Sequence, residues 1–117
     1  MDGFDFDGTL GKSPSFAPGQ IVRHRHYGYR GVVVEADRTC QAEETWYYAN
    51  RTQPGRSQPW YHVMVHGSPA VTYAAEENLT ADDSGEPVSH PLLPHFFDGF
   101  VGGRHHRNGE VWNGWET

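Results

Sequence analysis

GQIVRHRHYGYRGVVVEAD at residues 19–37 and QPWYHVMVHGSPAVTYAAEENL at residues 58–79 are the stretches that decide the fold. The first predicts a β-hairpin with strands at 20–26 and 29–37, and the second predicts one with strands at 60–66 and 70–75. The three valines at 32–34 are typical of a strand covered on both faces, and Gly31 beside them predicts a bulge or a bend. One turn of helix is expected at 75–79. The two hairpins together predict an all-β fold that forms most of a small barrel.

The segments around the hairpins predict the remaining organisation. Residues 1–17 are acidic and without periodicity, so they predict a flexible leader before a domain at 18–103. The connection at 38–59 is long for a compact domain, so it either contains a short helix near 42–49 or packs its aromatic residues on the barrel. Apolar residues three or four apart predict a short C-terminal helix within 90–100, and residues 104–117 are expected to form a loose tail. These apolar residues are Leu92, Leu93, Phe96, Phe97 and Phe100.

Length and composition limit the class of protein. A chain of 117 residues has room for one domain, and 36% apolar with 21% charged residues permits a packed core. No run of about 18 apolar residues is present, so no membrane partner is predicted. The single cysteine, Cys40, excludes an internal disulfide and fits the cytoplasm or another reducing compartment.

The charge of the chain is uneven. The formal net charge is −6, yet residues 19–33 contain three arginines and no acid, whereas residues 81–103 contain four acids and no base. A protein that binds nucleic acid without sequence preference is normally basic overall. Any contact with nucleic acid is therefore expected to be local and to involve the first hairpin.

The first hairpin is the candidate surface for DNA or a protein partner. Arginines beside exposed tyrosines can hold phosphates and stack on bases, which makes this pattern suitable for nucleic acid. The alternative is a solvated strand face whose charges only protect an edge from aggregation. The candidate binding residues are Arg23, His24, Arg25, Tyr27, Tyr29 and Arg30.

Histidine spacing raises the question of a metal site. His24 and His26 share one face of a regular strand at about 7 Å, which two ligands of one zinc can span. A third ligand would have to come from His62 or His66, and no cysteine pair is present. We therefore expect no metal site and no cofactor.

An enzyme is not expected either. The sequence FDFDGTL at residues 4–10 matches the nucleophile motif of the haloacid dehalogenase-type phosphatases, with Asp5 as nucleophile and Asp7 as acid/base. That chemistry needs a preceding apolar strand and a later lysine, but the only lysine, Lys12, lies beside the motif. We therefore interpret the match to the phosphatase motif as chance. No other candidate nucleophile lies on a recognisable nucleophile elbow, so no other catalytic site is predicted.

Three segments carry a resemblance to a known family. GQIVRHRHYGYRGVVVEAD, QPWYHVMVHG and TYAAEENL resemble the YccV-like, or HspQ, family, also called the hemimethylated DNA-binding domain, from about residue 18 to about residue 103. The spacing of Asp37, Cys40 and Trp46 and the sequence AEENL resemble the copy of this domain in a eukaryotic F-box protein. The resemblance implies an SH3-like β-barrel.

The same resemblance implies two functions and no catalytic residues. One is binding of hemimethylated duplex DNA. The other is a role as adaptor or modulator of ATP-dependent proteolysis, in which the partner is a protease or its substrate. Family members can also be small homo-oligomers. Four polar positions shared with the family are candidates for a polar network or a ligand contact: Gln58, His62, Glu76 and Asn78.

Overall fold

The structure is a computed structural model that describes residues 13–114. Strands β1 to β3 are Ile21–His24, Arg30–Asp37 and Trp60–Val65. Strands β4 to β7 are Val71–Ala75, Leu79–Ala81, Phe97–Val101 and Arg104–Arg107. Helix α1 is Glu44–Ala49, helix α2 is Leu93–Phe96, and a 3-10 turn covers Glu76–Asn78.

The main sheet has five antiparallel strands in the order β4-β3-β2-β1-β5. This arrangement confirms the predicted all-β class and both hairpins. The 3-10 turn, predicted as one turn of helix, carries the chain from β4 across to β5 beside β1. The predicted barrel is not closed, because β4 and β5 are the edges of this sheet in the described residues.

The valine run is buried on both faces of the sheet, as predicted. Val33 packs inside the curved sheet with Val22 and Leu79, while Val32 and Val34 lie on the opposite face. The opposite face is covered by the C-terminal part of the chain, including Phe96. A continuous apolar run is therefore needed here, because neither face of β2 meets water.

Gly31 does not form the bulge. The register of β2 against β3 shifts between Val33 and Glu35 instead. Gly31 is buried where the two strands approach closely, and a Cβ there would lie 2.5 Å from the carbonyl oxygen of Met64. The absence of a side chain is thus required by close packing rather than by a bend.

Three predicted segments differ from the structure by more than one residue: the first strand, the C-terminal helix and the tail. Strand β1 ends at His24, and residues 25–27 form the turn. The helix expected within 90–100 is only Leu93–Phe96, because Phe97 begins a strand. The prediction of a loose tail is wrong for Arg104–Arg107, which pair with β6 as strand β7. The sequence RHHR lacks an apolar alternation, so its pairing could not be seen in advance.

The N-terminal part is only partly within the described residues. The backbone N–H groups of Ser15 and Phe16 both donate to the Tyr61 hydroxyl, at 2.9 and 3.2 Å. The end of the predicted leader is therefore docked on the sheet. The FDFDGTL motif, Lys12 and Trp115 lie outside the described residues.

The long connection between β2 and β3 combines both predicted alternatives. It contains α1, and Trp46 of this helix packs edge-on against Trp60 and Tyr73, with ring centroids 6.2 and 5.7 Å apart. No helix in residues 13–114 is long and apolar enough to cross a membrane.

Candidate functional site

The turn between β1 and β2 is built around a buried histidine. His24 is 5% exposed, and its Nδ1 accepts hydrogen bonds from the backbone N–H groups of His26 and Tyr27 at 3.2 and 3.1 Å. Burial, with a smaller contribution from nearby His26, lowers the pKa of His24 below its usual value. Tyr27 stacks on the His24 ring at 4.5 Å and is 59% exposed. The turn therefore exposes one face of Tyr27 to solvent, while the ring stacks on the uncharged imidazole of His24.

Two of the three hairpin arginines converge on one carboxylate. Arg30 Nε lies 3.0 Å from one oxygen of Asp82, and an Arg23 guanidinium nitrogen lies 3.2 Å from the other. Arg30 also donates to the carbonyl oxygen of Glu86. The Asp82 side chain is only 4% exposed, so its charge faces these arginines rather than solvent.

Asp82 is held in the ionised form. Its burial opposes ionisation, but hydrogen bonds from Ser84, Arg30 and Arg23 lower its pKa below the usual value. Arg25 is exposed and has no side-chain hydrogen bond or ion pair with any residue in 13–114. The basic surface predicted from three arginines is therefore reduced in effect to Arg25 and the exposed part of Arg23.

The four polar candidates do not form a single network. Gln58 and Glu77 exchange two hydrogen bonds, of 2.6 Å from the Gln58 amide and 2.8 Å to the Gln58 carbonyl. Glu76 accepts the Tyr61 hydroxyl at 2.6 Å, and burial together with this carboxylate raises the pKa of Tyr61. These contacts hold the 3-10 turn against Tyr61 of β3 and against Gln58 just before that strand, which is a structural role.

His62 belongs to a third group. It is 3% exposed, and its Nε2 lies 3.3 Å from Asp37, which also accepts the Tyr73 hydroxyl at 2.6 Å. Burial raises the pKa of Asp37, but the bonds from His62 and Tyr73 outweigh it, so the pKa is lowered. Sequence inspection missed Asp37, Glu77 and Asp82, because their partners are distant along the chain.

A groove of about 300 Å³ opens beside the hairpin turn. It is lined by the turn, through His24, Tyr27 and Tyr29, and by Trp46 of α1 together with four residues that follow this helix: Asn50, Arg51, Thr52 and Pro54. Every residue of β4 lines it as well, and so do Trp60 and Asn78. The Tyr29 hydroxyl ties the turn to β4 by a 2.7 Å hydrogen bond with Thr72. The groove is thus assembled from four parts of the chain that are separate in the sequence.

The groove brings together only part of the predicted site. His24, Tyr27, Tyr29 and Asn78 line it, whereas Arg23, Arg25 and Arg30 do not. Trp46 and Arg51, which do line it, were not predicted as site residues. The aromatic sequence Trp46-Tyr47-Tyr48 in a polar connection was the available indication of this wall.

Within residues 13–114 no group of three or more His, Cys, Asp or Glu side chains could hold a metal ion. Cys40 is 8% exposed and packs with Tyr47 and Trp60. The groove offers aromatic surface and polar groups that can form hydrogen bonds.

Comparison with known proteins places the chain in a family of binding domains. The family model described as "Hemimethylated DNA-binding protein YccV like" matches residues 14–104. The chain therefore belongs to the YccV-like family. The match confirms the predicted family and the presence of a binding module.

Curated relatives include F-box only protein 21 from several mammals. The chain is 31% identical to the proteins of Homo sapiens and Pongo abelii, and 30% identical to that of Mus musculus, over 99 residues in each case. The aligned region covers 82% of this chain but only 16% of each relative. The match thus spans about a sixth of the length of these relatives.

Proposed function

We propose that this chain is a non-enzymatic binding module whose partner is a protein, and that it serves as an adaptor or modulator of ATP-dependent proteolysis. The partner is a protease of that class or one of its substrates. The proposal places the protein in the cytoplasm or another reducing compartment and requires no cofactor.

The convergence of Arg23 and Arg30 on Asp82 is the observation that carries the choice of partner. Phosphate contacts depend on cations that are free to displace counterions from DNA. Here one buried carboxylate engages two of the three hairpin arginines, and the chain carries a net charge of −6. The adjacent groove is aromatic and accessible, which favours a protein segment over a charged duplex.

A degradation assay tests the proposed function. Purified ATP-dependent proteases are incubated with a loosely folded model substrate, with and without this chain, and the initial rate of substrate loss is measured. We expect the chain to change the rate for at least one protease in a saturable manner. If no protease responds over a wide range of chain concentrations, the adaptor role is refuted.

Binding of hemimethylated DNA is the second candidate, and the family model that matches residues 14–104 favours it. It would use the exposed Arg25 together with Tyr27 in the turn. Each good contact to a base edge contributes about 1–3 kcal/mol of discrimination.

Titration of hemimethylated, fully methylated and unmethylated duplexes at two salt concentrations tests this candidate. The variants Arg25→Ala and Arg38→Ala are a matched pair, because both remove an exposed arginine and only Arg25 lies in the turn. Tight binding that prefers the hemimethylated duplex, and that is weakened by Arg25→Ala alone, would establish the DNA function. Weak binding with no preference for methylation is the result expected for a protein-binding module.

A further inference from the structure

The groove runs along an edge strand. Strand β4 pairs with β3 on one side, and it is an edge of the five-stranded sheet in the described residues. The carbonyl of Ala70 and the N–H of Glu76 bond toward β3, to Val65 and Pro59. Val71 and Thr72, at the start of β4, are partly exposed, whereas Tyr73, Ala74 and Ala75 are 7%, 6% and 1% exposed. A partner can therefore reach the main chain only near the start of β4, while the whole strand lines the groove.

The walls of the groove are rigid aromatic side chains. Trp46 is held by edge contacts to Trp60 and Tyr73, and Tyr27 is held by stacking on His24. Aromatic residues provide large contact area at a low cost in side-chain entropy. A volume of about 300 Å³ is at the small end for a ligand site, so it suits one or two side chains.

The charge of the groove is opposite to that of the chain. Among the described residues, Arg51 is the only Asp, Glu, Lys or Arg that lines it. Arg51 is exposed and has no ion pair within residues 13–114. His24 is neutral near pH 7, since its pKa is lowered. A groove without carboxylates and with one free guanidinium complements a partner carboxylate.

We propose that this groove binds a short segment of a partner protein. An aromatic or large apolar side chain of the segment lies between Tyr27 and Trp46, and a nearby carboxylate contacts Arg51. This inference rests on the proposed function, for which it supplies the site and the chemical class of the ligand. Strand β4 has five residues and spans about 17 Å, so the recognised segment is short.

Fluorescence anisotropy with a defined probe tests the groove. The probe is a labelled serine/glycine peptide with Phe-Ser-Asp at its centre, and a second peptide carries asparagine in place of the aspartate. We expect saturable binding of the first peptide that is about tenfold weaker for Tyr27→Ala and for Arg51→Glu. The asparagine peptide should bind the wild-type chain about as weakly as the first peptide binds Arg51→Glu.

Two matched variants serve as controls. Tyr48→Ala truncates an exposed aromatic residue of α1 outside the groove, and Arg38→Glu reverses an exposed arginine outside it. Both should bind the peptide within about twofold of the wild type. Tyr27 and Arg51 are exposed, so these variants should fold, and a thermal unfolding curve for each variant confirms it.

Three results would overturn the inference. One is peptide binding that is unchanged in both groove variants. Another is an oligothymidylate that binds more tightly than the peptide and displaces it, which would make the groove a nucleic-acid site. A third is a dimer in sedimentation that dissociates when the peptide binds, which would assign the groove to a second copy.

The degradation assay separates this inference from the proposed function. If the Tyr27→Ala and Arg51→Glu variants change the rate of proteolysis as the wild type does, the groove is not the site, although the adaptor role stands. If the wild type has no effect on proteolysis but the groove binds the peptide as described, the site stands and the adaptor role falls.

Discussion

Replacing Asp82 by asparagine removes the carboxylate that holds the hairpin arginines. The side chain of Asp82 is 4% exposed and that of Arg30 is 14% exposed, so this ion pair is largely buried. The Arg23 side chain is 46% exposed, so its ion pair is weakened by solvent. Asparagine keeps the shape and one acceptor oxygen but leaves Arg30 without its counter-charge.

The magnitude follows from these two ion pairs. Removing one partner of a buried pair costs about 3–5 kcal/mol, whereas an exposed pair contributes about 0.2–1 kcal/mol. Because the asparagine oxygen retains one hydrogen bond, we expect the free energy of unfolding to fall by about 2–3 kcal/mol. For a domain of this size that corresponds to a decrease in Tm of about 10–20 °C.

Urea and thermal unfolding of Asp82→Asn and Asp83→Asn measure the effect. Asp83 is exposed and has no hydrogen bond or ion pair within residues 13–114, so its variant makes the same charge change without releasing an arginine. It should unfold within about 0.5 kcal/mol of the wild type. Equal stability of the two variants would refute the claim that the ion pairs of Asp82 with Arg23 and Arg30 stabilise the hairpin.

The same pair of variants reports on the arginines themselves. Both variants raise the net charge by one, but only Asp82→Asn frees Arg23 and Arg30 for phosphate. At low salt, Asp82→Asn should therefore bind duplex DNA more tightly than Asp83→Asn does. Identical affinities would mean that Asp82 does not withhold these arginines from DNA.

Two further predictions concern packing and pH. Gly31→Ala places a Cβ 2.5 Å from the carbonyl oxygen of Met64 and should cost about 1–3 kcal/mol in urea unfolding, whereas Gly99→Ala, with no atom within 4 Å, should cost less than about 1 kcal/mol. Burial lowers the pKa of His24 and of His105 below 6.5, so the unfolded chain takes up protons more readily. The Tm should therefore fall as the pH is lowered below 6.5, and a Tm that stays constant there would contradict this prediction.

Strands β1 to β4 of the main sheet could be predicted because local sequence determines them, whereas the short strand β5 was not predicted. Val32–Val34 and the segment that begins at Trp60 are apolar and β-branched or aromatic, and turn residues bound them. The helix predicted within 90–100 is shorter than expected. Phenylalanines spaced by three or four residues fit a helix, yet Phe97 and Phe100 belong to β6. Strand β7 has no apolar alternation from which it could be predicted, since His105 is its only buried residue.

The site was harder to predict than the fold because its contacts are nonlocal. Asp82 lies 52 residues after Arg30 and 59 after Arg23, and no sequence pattern joins them. The arginines were therefore predicted as a free basic surface. Trp46 and Arg51 become groove residues only when α1 packs beside β4, which depends on the tertiary fold.

Mapping of the partner surface by amide NMR most directly tests the claim that β4 and its groove form the binding site. The isotope-labelled chain is titrated separately with the Phe-Ser-Asp peptide and with a hemimethylated duplex. We predict that the peptide shifts the amide signals of residues 71–75 and the indole N–H of Trp46, while the duplex leaves these signals unchanged. Shifts at residues 23–30 with the hemimethylated duplex, absent with the unmethylated one, together with no response to the peptide, would contradict the account.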